Sequence, residues 1–228
     1  MITHQKKFYT GVVLLSAFTA VLILIFMPIF NGQNGLSFLD SLYNSISKGS
    51  AYYIPGLIEE NKEYTGRTVN LTLTMADERQ AGETRDLFVK SGAQAGRSGN
   101  VLNITGDLGA ILTNCLKDAD LLFANEGEKL RQKYGINERQ VLYNWWQAFK
   151  EADKSLNREK KFDEAKFIAK VSKKAVECSY NYYQIEPQDI SDKYGLVIFS
   201  LVFYVVYTLW YGFGIMILLE GIGMQLGH

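Results

Sequence analysis

Two uncharged apolar runs, residues 11–30 and residues 195–219, stand at either end of a mostly polar chain. A helix rises about 1.5 Å per residue, so each run is long enough to cross a hydrocarbon core of roughly 30 Å. The pattern therefore predicts a membrane protein in which two transmembrane helices flank a single domain of residues 31–194.

Helical spacing of apolar residues returns directly after the first run. The apolar positions of residues 35–47 share one helix face, and they are Leu36, Leu39, Leu42, Tyr43 and Ile46. We expect a short amphipathic helix here, which either lies on the outer surface of the bilayer or packs under the domain.

The spacing then changes to the period of two that is typical of a half-buried strand. The alternating apolar residues are Val69, Leu71, Leu73 and Met75. Residues 77–89 are typical of a helix, residues 92–99 of a flexible connection and residues 100–105 of a second strand. This order predicts a small β-α-β unit. It allows a right-handed parallel crossover, and an antiparallel arrangement with a third strand elsewhere stays open.

Beyond residue 107 the pattern is helical. One apolar face extends from Ile111 to Phe123, and Gly135 is expected to end that helix. Asn137 and Gln140 resemble a capping box at the start of a second helix.

A third helix is predicted over residues 162–178, with Asn157 as its cap and Pro187 as its terminator. Its apolar residues cover more than half of the circumference, so we expect it to be the central helix of a three-helix bundle. The predicted fold class is thus a mainly α (α+β) extracytoplasmic domain between two transmembrane helices.

The charges that flank the first run predict the orientation. Lys6 and Lys7 precede it, whereas the first basic residue after it is Lys48. Because basic residues near a helix end tend to stay in the cytoplasm, we expect residues 1–10 and the tail of residues 220–228 to be cytoplasmic. The predicted location is the cytoplasmic (inner) membrane of a bacterium, with the domain outside the cytoplasm.

A cleavable signal peptide is the alternative interpretation of the N-terminus, since a short basic segment before an apolar stretch fits that description too. The run is longer than a typical signal-peptide core, and residues 27–31 contain no small-x-small cleavage pattern. We therefore interpret it as an uncleaved signal anchor.

Composition and charge narrow the class of function. The chain is 47 % hydrophobic, which is enough for a folded domain, and it balances 24 basic against 24 acidic residues. A nucleic-acid-binding protein needs a positive excess, so nucleic acid is not an expected partner.

Residues that could carry catalysis are scarce. The two histidines, His4 and His228, both lie outside the predicted domain, and Cys115 and Cys178 do not have C-x-x-C spacing. The two cysteines could form one disulfide or serve equally well as small buried apolar residues. The glycines near residues 92–109 lack a Walker or dinucleotide pattern. We therefore predict no catalytic, cofactor or metal site, and no enzyme.

Two surfaces are candidates for partner binding. The first is an aromatic side of the second apolar run, made of Phe199, Phe203, Tyr207, Trp210 and Tyr211. It could pack on the first run, on a neighbouring subunit or on an aromatic cofactor such as a quinone. The second is a basic surface formed by Lys166, Lys170, Lys173 and Lys174. Interleaved acidic residues make a solvated helix face the alternative for this surface.

These observations favour a noncatalytic accessory or assembly subunit of a bacterial cytoplasmic-membrane complex. Its expected partners are the lipid bilayer and either an integral-membrane protein or a second copy of the chain. The alternative is an extracytoplasmic module that binds a small ligand and signals to a membrane partner.

Overall fold

The computed structural model describes residues 2–224 and contains two compact units. We call Ser50–Glu186 the central unit, and the described residues before and after it the terminal unit. The last part of the predicted tail, from residue 225 onward, lies outside the described residues.

The terminal unit consists mainly of helices α1 (Gln5–Phe26), α2 (Gly35–Ser50) and α10 (Tyr194–Gly221). Helices α1 and α10 pack against each other, and both are long and apolar enough to cross a membrane. Helix α1 ends earlier than expected, because Met27 adopts the extended conformation that is favoured before a proline. The predicted amphipathic helix is present as α2 and extends to Ser50.

The central unit contains a small antiparallel sheet of β1 (Thr68–Thr74), β2 (Gln94–Ser98) and β3 (Val101–Asp107). The strand order is β1-β3-β2, and Leu71 of β1 lies opposite Ile104 of β3. The parallel crossover considered from the sequence is therefore wrong, and the antiparallel alternative with a third strand is correct.

The third strand is β2, which lies in the stretch that we predicted to be a flexible connection. Ser98 pairs with Val101, so only Gly99 and Asn100 form the turn between β2 and β3. Gly99 has a φ of +60°, which a glycine at the first central position of a tight hairpin turn adopts without strain. This two-residue turn fixes β2 as the antiparallel neighbour of β3.

One face of the sheet is buried. Its apolar side chains alternate with exposed residues and are Val69, Leu71, Leu73, Leu102 and Ile104. Helix α4 (Glu78–Lys90) contacts β2 and β3, and it begins at Asp77, whose side chain accepts a hydrogen bond from the Gln80 backbone N–H. The alternation in the sequence thus identifies the core face correctly.

The first predicted long helix is two helices, α5 (Leu108–Phe123) and α6 (Gly127–Tyr134). Asn125, with a left-handed φ of +62°, separates them, and Gly135 ends α6 as predicted. Asn137 caps α7 (Glu138–Arg158) by accepting from the backbone N–H groups of Arg139 and Gln140. The Gln140 side chain donates to Asn144 instead of returning to Asn137, so only half of the predicted capping box forms.

The third predicted helix is divided into α8 (Phe162–Val171), a π-helical segment (Ser172–Glu177) and α9 (Cys178–Tyr182). Asn157 does not cap it, since Asn157 lies inside α7 and donates to the Asp153 carbonyl. The helix ends at Tyr182, before Pro187.

Helix α7 contacts α4, α6, α8 and β1 in the centre of this unit, and α3 (Ile54–Asn61) packs on α5. The described chain is thus mostly helical with a small three-stranded antiparallel sheet. Its description as a three-helix bundle stays a prediction.

Candidate functional site

A groove with aromatic walls runs between α7 and the π-helical segment with α9, and it is the candidate functional site. It encloses about 400 Å³. The lining residues come from these two stretches of chain and are Leu142, Tyr143, Trp146, Val176, Glu177, Tyr180 and Asn181. We call this set the aromatic groove.

Helical spacing places these side chains on facing surfaces. Tyr143 and Trp146 are three residues apart on α7, and Glu177 and Tyr180 are three apart on the opposite stretch, so each pair shares a helix face. The opposite face of α7 carries Trp145, which is fully buried. Burial of Trp145 in the core orients α7, so that Tyr143 and Trp146 lie at the edge of the core.

One hydrogen bond links the two walls of the aromatic groove. The Trp146 indole donates its Nε1–H to Glu177 Oε1 over 2.8 Å. The Tyr143 ring lies 5.9 Å from that of Trp146, and its hydroxyl accepts from Gln147 Nε2 over 2.8 Å. Glu177 forms no ion pair with any described residue.

Two cations of the chain lie on aromatic faces at this site. Lys150 Nζ is 5.4 Å from the centre of the Trp146 ring. The Arg139 guanidinium is 5.6 Å from the Tyr180 ring and 5.4 Å from the Tyr183 ring. These distances are within the range in which a cation is attracted to the π-electrons of an aromatic face.

The groove continues into a second, more polar depression of about 350 Å³. Both depressions are lined by Tyr143 and Tyr180, and the second also by Asn137, Arg139 and Gln140. The site thus has an aromatic part that contains the Glu177 carboxylate and a polar part that contains the Arg139 guanidinium.

The π-helical segment Ser172–Glu177 contributes Val176 and Glu177 to the groove. A π-helix has hydrogen bonds of the i→i+5 type, and it is found often at functional sites despite its unfavourable geometry. Because a π-helix has a different angle per residue from an α-helix, the segment sets the direction of its own last residues, Val176 and Glu177. Glu177 therefore reaches Trp146 through an irregularity of the backbone.

A second cluster of titratable groups surrounds Asp118 in the core. The Asp118 side chain is fully buried and accepts hydrogen bonds from Lys133 Nζ, Tyr134 Oη and Trp145 Nε1, at 2.7, 2.6 and 2.9 Å. Both carboxylate oxygens are thus occupied by donors of the chain. This arrangement joins α5, α6 and α7, and we interpret it as structural.

Burial in this cluster raises the pKa values of two groups, the Tyr134 hydroxyl and the Cys115 thiol. It raises the pKa of Tyr134 above the ordinary value of 10.0, and the nearby charge of Asp118 raises it further. Burial also raises the pKa of the Cys115 thiol well above 9.0, again with a contribution from Asp118. Cys115 is therefore a protonated thiol and a poor nucleophile.

A third group lies around Glu138. Its carboxylate accepts from Arg131 Nη2 over 3.0 Å and from the Tyr183 hydroxyl over 3.1 Å. Its own backbone N–H, followed by Arg131 and Tyr183, lowers the pKa of Glu138 below the ordinary value of 4.5. This ion pair connects the end of α6 to the start of α7, so we also interpret it as structural.

The two cysteines are thiols in the structure, which does not contain the Cys115–Cys178 disulfide. Cys115 is buried within α5, and the Cys178 Sγ donates to the Ala51 carbonyl over 3.3 Å. The disulfide and its alternative, in which both cysteines are small packing residues, stay predictions.

The predicted basic surface is partly used inside the chain. Lys170 forms an ion pair with Glu60, and Lys174 Nζ lies 5.1 Å from the centre of the Tyr53 ring. Lys166, Lys173 and Lys174 are exposed, and Lys170 is half-buried. Three of the four lysines are therefore accessible to solvent.

The predicted aromatic side of α10 consists of residues that contact α1 and residues that lie further out. Tyr207 and Trp210 donate to the carbonyls of Phe18 and Leu14 in α1, over 3.3 and 3.1 Å. The Phe18 ring stacks on Tyr207 at 4.2 Å and lies 5.0 Å from Tyr211. Tyr207 and Trp210 thus pack on the first helix, and the role of this side as a partner face stays a prediction.

The remaining aromatic residues of this side lie further out. Phe203 stacks between Phe199 and Tyr207 at 6.0 and 5.4 Å and is half-buried, while Phe199 is exposed. Tyr204, which was not among the predicted residues of this side, is the most exposed large apolar or aromatic side chain in the described chain, at 68 %.

The aromatic groove was not predicted, although the sequence of α7 indicates half of it. Arg139, Tyr143, Trp146 and Lys150 follow helical spacing, which places two aromatic rings between two cations on one side of α7. The other half depends on the π-helical segment, for which the sequence offers no clear signal.

No group of three or more histidine, cysteine, aspartate or glutamate residues among residues 2–224 is arranged to hold a metal ion. Comparison with known proteins does not assign the chain to a family, since no family model, curated protein or solved structure matches it.

Proposed function

We propose that this protein is a noncatalytic accessory or assembly subunit of a bacterial cytoplasmic-membrane complex. Helices α1 and α10 anchor it in the bilayer, and the central unit contacts a partner outside the cytoplasm. Only 6 % of the apolar stretch of each helix is buried within the molecule, which favours spans over the core helices of a soluble protein.

Tyr204 is the single observation that favours a partner within the membrane. It lies about 15 Å along α10 from Tyr194, close to the middle of a span, and is 68 % exposed. Its hydroxyl has no hydrogen-bond partner among the described residues, in contrast to that of Tyr207. In hydrocarbon a hydroxyl gains stability from a partner, which a helix of a neighbouring subunit would supply.

The proposed orientation has both ends of the chain in the cytoplasm. Lys6 and Lys7 precede the apolar part of α1, and Lys7 pairs with Glu220 at the far end of α10 over 2.7 Å. The two ends thus lie at the same end of an antiparallel helix pair. The basic residues favour the cytoplasmic side for that end.

Quantitative co-purification of the tagged full chain from its native membrane in mild detergent tests this proposal. We expect a stoichiometric integral-membrane partner, whose recovery falls severalfold with Tyr204→Phe. Tyr194→Phe at the start of α10 is the matched control and should leave recovery unchanged. A second copy of the chain as the sole partner would indicate a homo-oligomer, and a wild-type chain without any partner would contradict the proposal.

The aromatic groove supports a second candidate function, an extracytoplasmic module that binds a small ligand and signals to a membrane partner. Its volume of about 400 Å³ is within the usual range of ligand sites, and its walls combine apolar surface with a few polar groups. Thermal stabilisation of the purified chain by a small molecule, in the absence of any partner, would favour this function.

A further inference from the structure

We propose that the aromatic groove binds a small organic ammonium ion with a short carbon chain. The inference rests on the second candidate function and names its class of ligand. It is carried by the juxtaposition of aromatic faces with a carboxylate that has no counter-ion in the described chain.

The aromatic faces are the first part of the argument. Tyr143, Trp146 and Tyr180 line the groove, and aromatic faces attract cations through the ring quadrupole. The chain already uses two of these rings in this way, since Lys150 lies over Trp146 and Arg139 over Tyr180. The rings are therefore oriented so that a cation can reach their faces.

The carboxylate of Glu177 is the second part. Glu177 Oε1 accepts from the Trp146 indole, and no lysine or arginine of the described chain pairs with this carboxylate. The hydrogen bond holds the charge at the wall of the groove. An ammonium group there would meet a negative charge and an aromatic face together, whereas an anion would be repelled.

The apolar wall is the third part. Leu142 and Val176 line the groove as buried apolar side chains, beneath the exposed edges of the aromatic rings. A volume of about 400 Å³ accommodates an ammonium group together with a stem of several carbon atoms. This combination favours an organic amine or quaternary ammonium over an inorganic cation, which would gain nothing from the apolar wall.

Lys150 makes a distinctive prediction possible. Its side chain is exposed, and its ammonium group lies 5.4 Å from the centre of the Trp146 ring, one of the rings that the ligand would contact. Lys150 therefore competes with the ligand as an internal cation. Its removal should strengthen binding, whereas a lysine that merely supports the groove would weaken binding when removed.

Isothermal titration calorimetry of the detergent-solubilised full chain at low ionic strength tests the proposal, with choline as the probe. Its uncharged isostere 3,3-dimethyl-1-butanol has the same shape without the positive charge. We expect saturable binding of choline, and binding of the isostere that is weaker by about tenfold or more.

Three variants locate the site. Glu177→Gln should weaken choline binding by about tenfold, and Lys150→Ala should strengthen it severalfold. Lys154→Ala is the matched control, because Lys154 is one turn further along α7 and pairs with Glu151. Thermal unfolding of each variant checks that the fold is retained.

Equal binding of choline and its isostere would overturn the proposal, as would weaker binding in Lys150→Ala. Absence of saturation up to about 10 mM choline would also overturn it. These failures are distinct from failure of the accessory-subunit proposal, which is measured by co-purification. The choline results are also distinct from failure of the second candidate function, because thermal stabilisation of the chain by an uncharged small molecule would still support that function.

Discussion

Among the described residues, Asp118 is the most deeply buried charged side chain. Its carboxylate is fully buried and is stabilised by one ammonium, one hydroxyl and one indole N–H. A buried carboxylate is stable only while its hydrogen-bond donors are present. Conversely, removal of the carboxylate deprives three donors of their acceptor.

Asp118→Ala is expected to lower the free energy of unfolding by about 3 to 5 kcal/mol, because it removes the counter-charge of Lys133 and the acceptor of the Tyr134 hydroxyl and the buried Trp145 indole. Asp118→Asn retains an acceptor oxygen and should lose less. Urea unfolding of the full chain in mild detergent, followed by circular dichroism, measures both. Asp86→Ala, at an exposed carboxylate, is the control and should change the free energy by less than about 0.5 kcal/mol. An equal loss in Asp86→Ala would contradict the structural role of Asp118.

The raised pKa values of Tyr134 and Cys115 predict a loss of stability in alkali. Both groups hold their protons more tightly in the folded chain than in the unfolded chain, whose values are near 10.0 and 9.0. Stability contributed by these groups is therefore complete below those values and decreases as the pH rises through them.

Urea midpoints measured from about pH 8 to about pH 11 should fall with increasing pH. Tyr134→Phe should reduce this fall above the ordinary tyrosine pKa of 10.0, because the phenyl ring has no proton to lose. A pH dependence identical to that of the wild type would show that Tyr134 does not contribute to it.

At the scale of elements, glycines decide how closely α1 and α10 pack. A methyl group at Gly11 would lie 2.7 Å from the Leu218 Cα atom, and one at Gly221 would lie 2.5 Å from the Phe8 Cα atom. These neighbours are backbone atoms, which cannot move aside without separation of the helices. Small residues at such contacts are typical of helix pairs in membranes, where dispersion contacts rather than hydrophobic burial stabilise the pair.

Gly11→Ala is therefore expected to destabilise the α1–α10 pair by about 1 to 3 kcal/mol. Gly212→Ala is the matched control, since a methyl group at Gly212 meets nothing within 4 Å. Thermal unfolding of both variants in detergent should show a lower midpoint for Gly11→Ala alone. Equal midpoints would mean that the two helices do not depend on this close contact.

The element boundaries illustrate which local signals are sufficient. Gly135 and Asn137 act as the sequence predicts, because a left-handed glycine and an asparagine cap function through their own backbone and side chain. Asn125 also has a left-handed conformation, but its neighbours continue the helical pattern, so the break between α5 and α6 was missed. The Gly99-Asn100 turn was a readable hairpin signal that the weak strand composition of β2 concealed.

At the scale of the whole molecule, the proposed topology predicts which residues a reagent can reach. A membrane-impermeant thiol reagent should label Lys62→Cys in intact cells, because Lys62 is exposed on the central unit. Lys6→Cys should be labelled only after the membrane is opened. The background carries Cys115→Ala and Cys178→Ala, so that native thiols do not react. The reverse pattern of labelling would reverse the proposed orientation.

The sequence by itself determined the two apolar helices, the amphipathic α2, the alternating strand β1 and the caps of α6 and α7. Each of these depends on residues within a few positions of one another, because helix and strand periods and capping are local properties. The scarcity of histidine in the region between the apolar runs was equally plain from composition.

Only the tertiary structure decided the strand order, the hydrogen bond from Trp146 to Glu177 and the cluster around Asp118. Trp146 and Glu177 are 31 positions apart, and Asp118 and Trp145 are 27 apart. Such contacts depend on how whole elements pack, and in the groove also on the π-helical segment that contains Glu177. No local period encodes this packing, which is why the helices could be predicted and the candidate site could not.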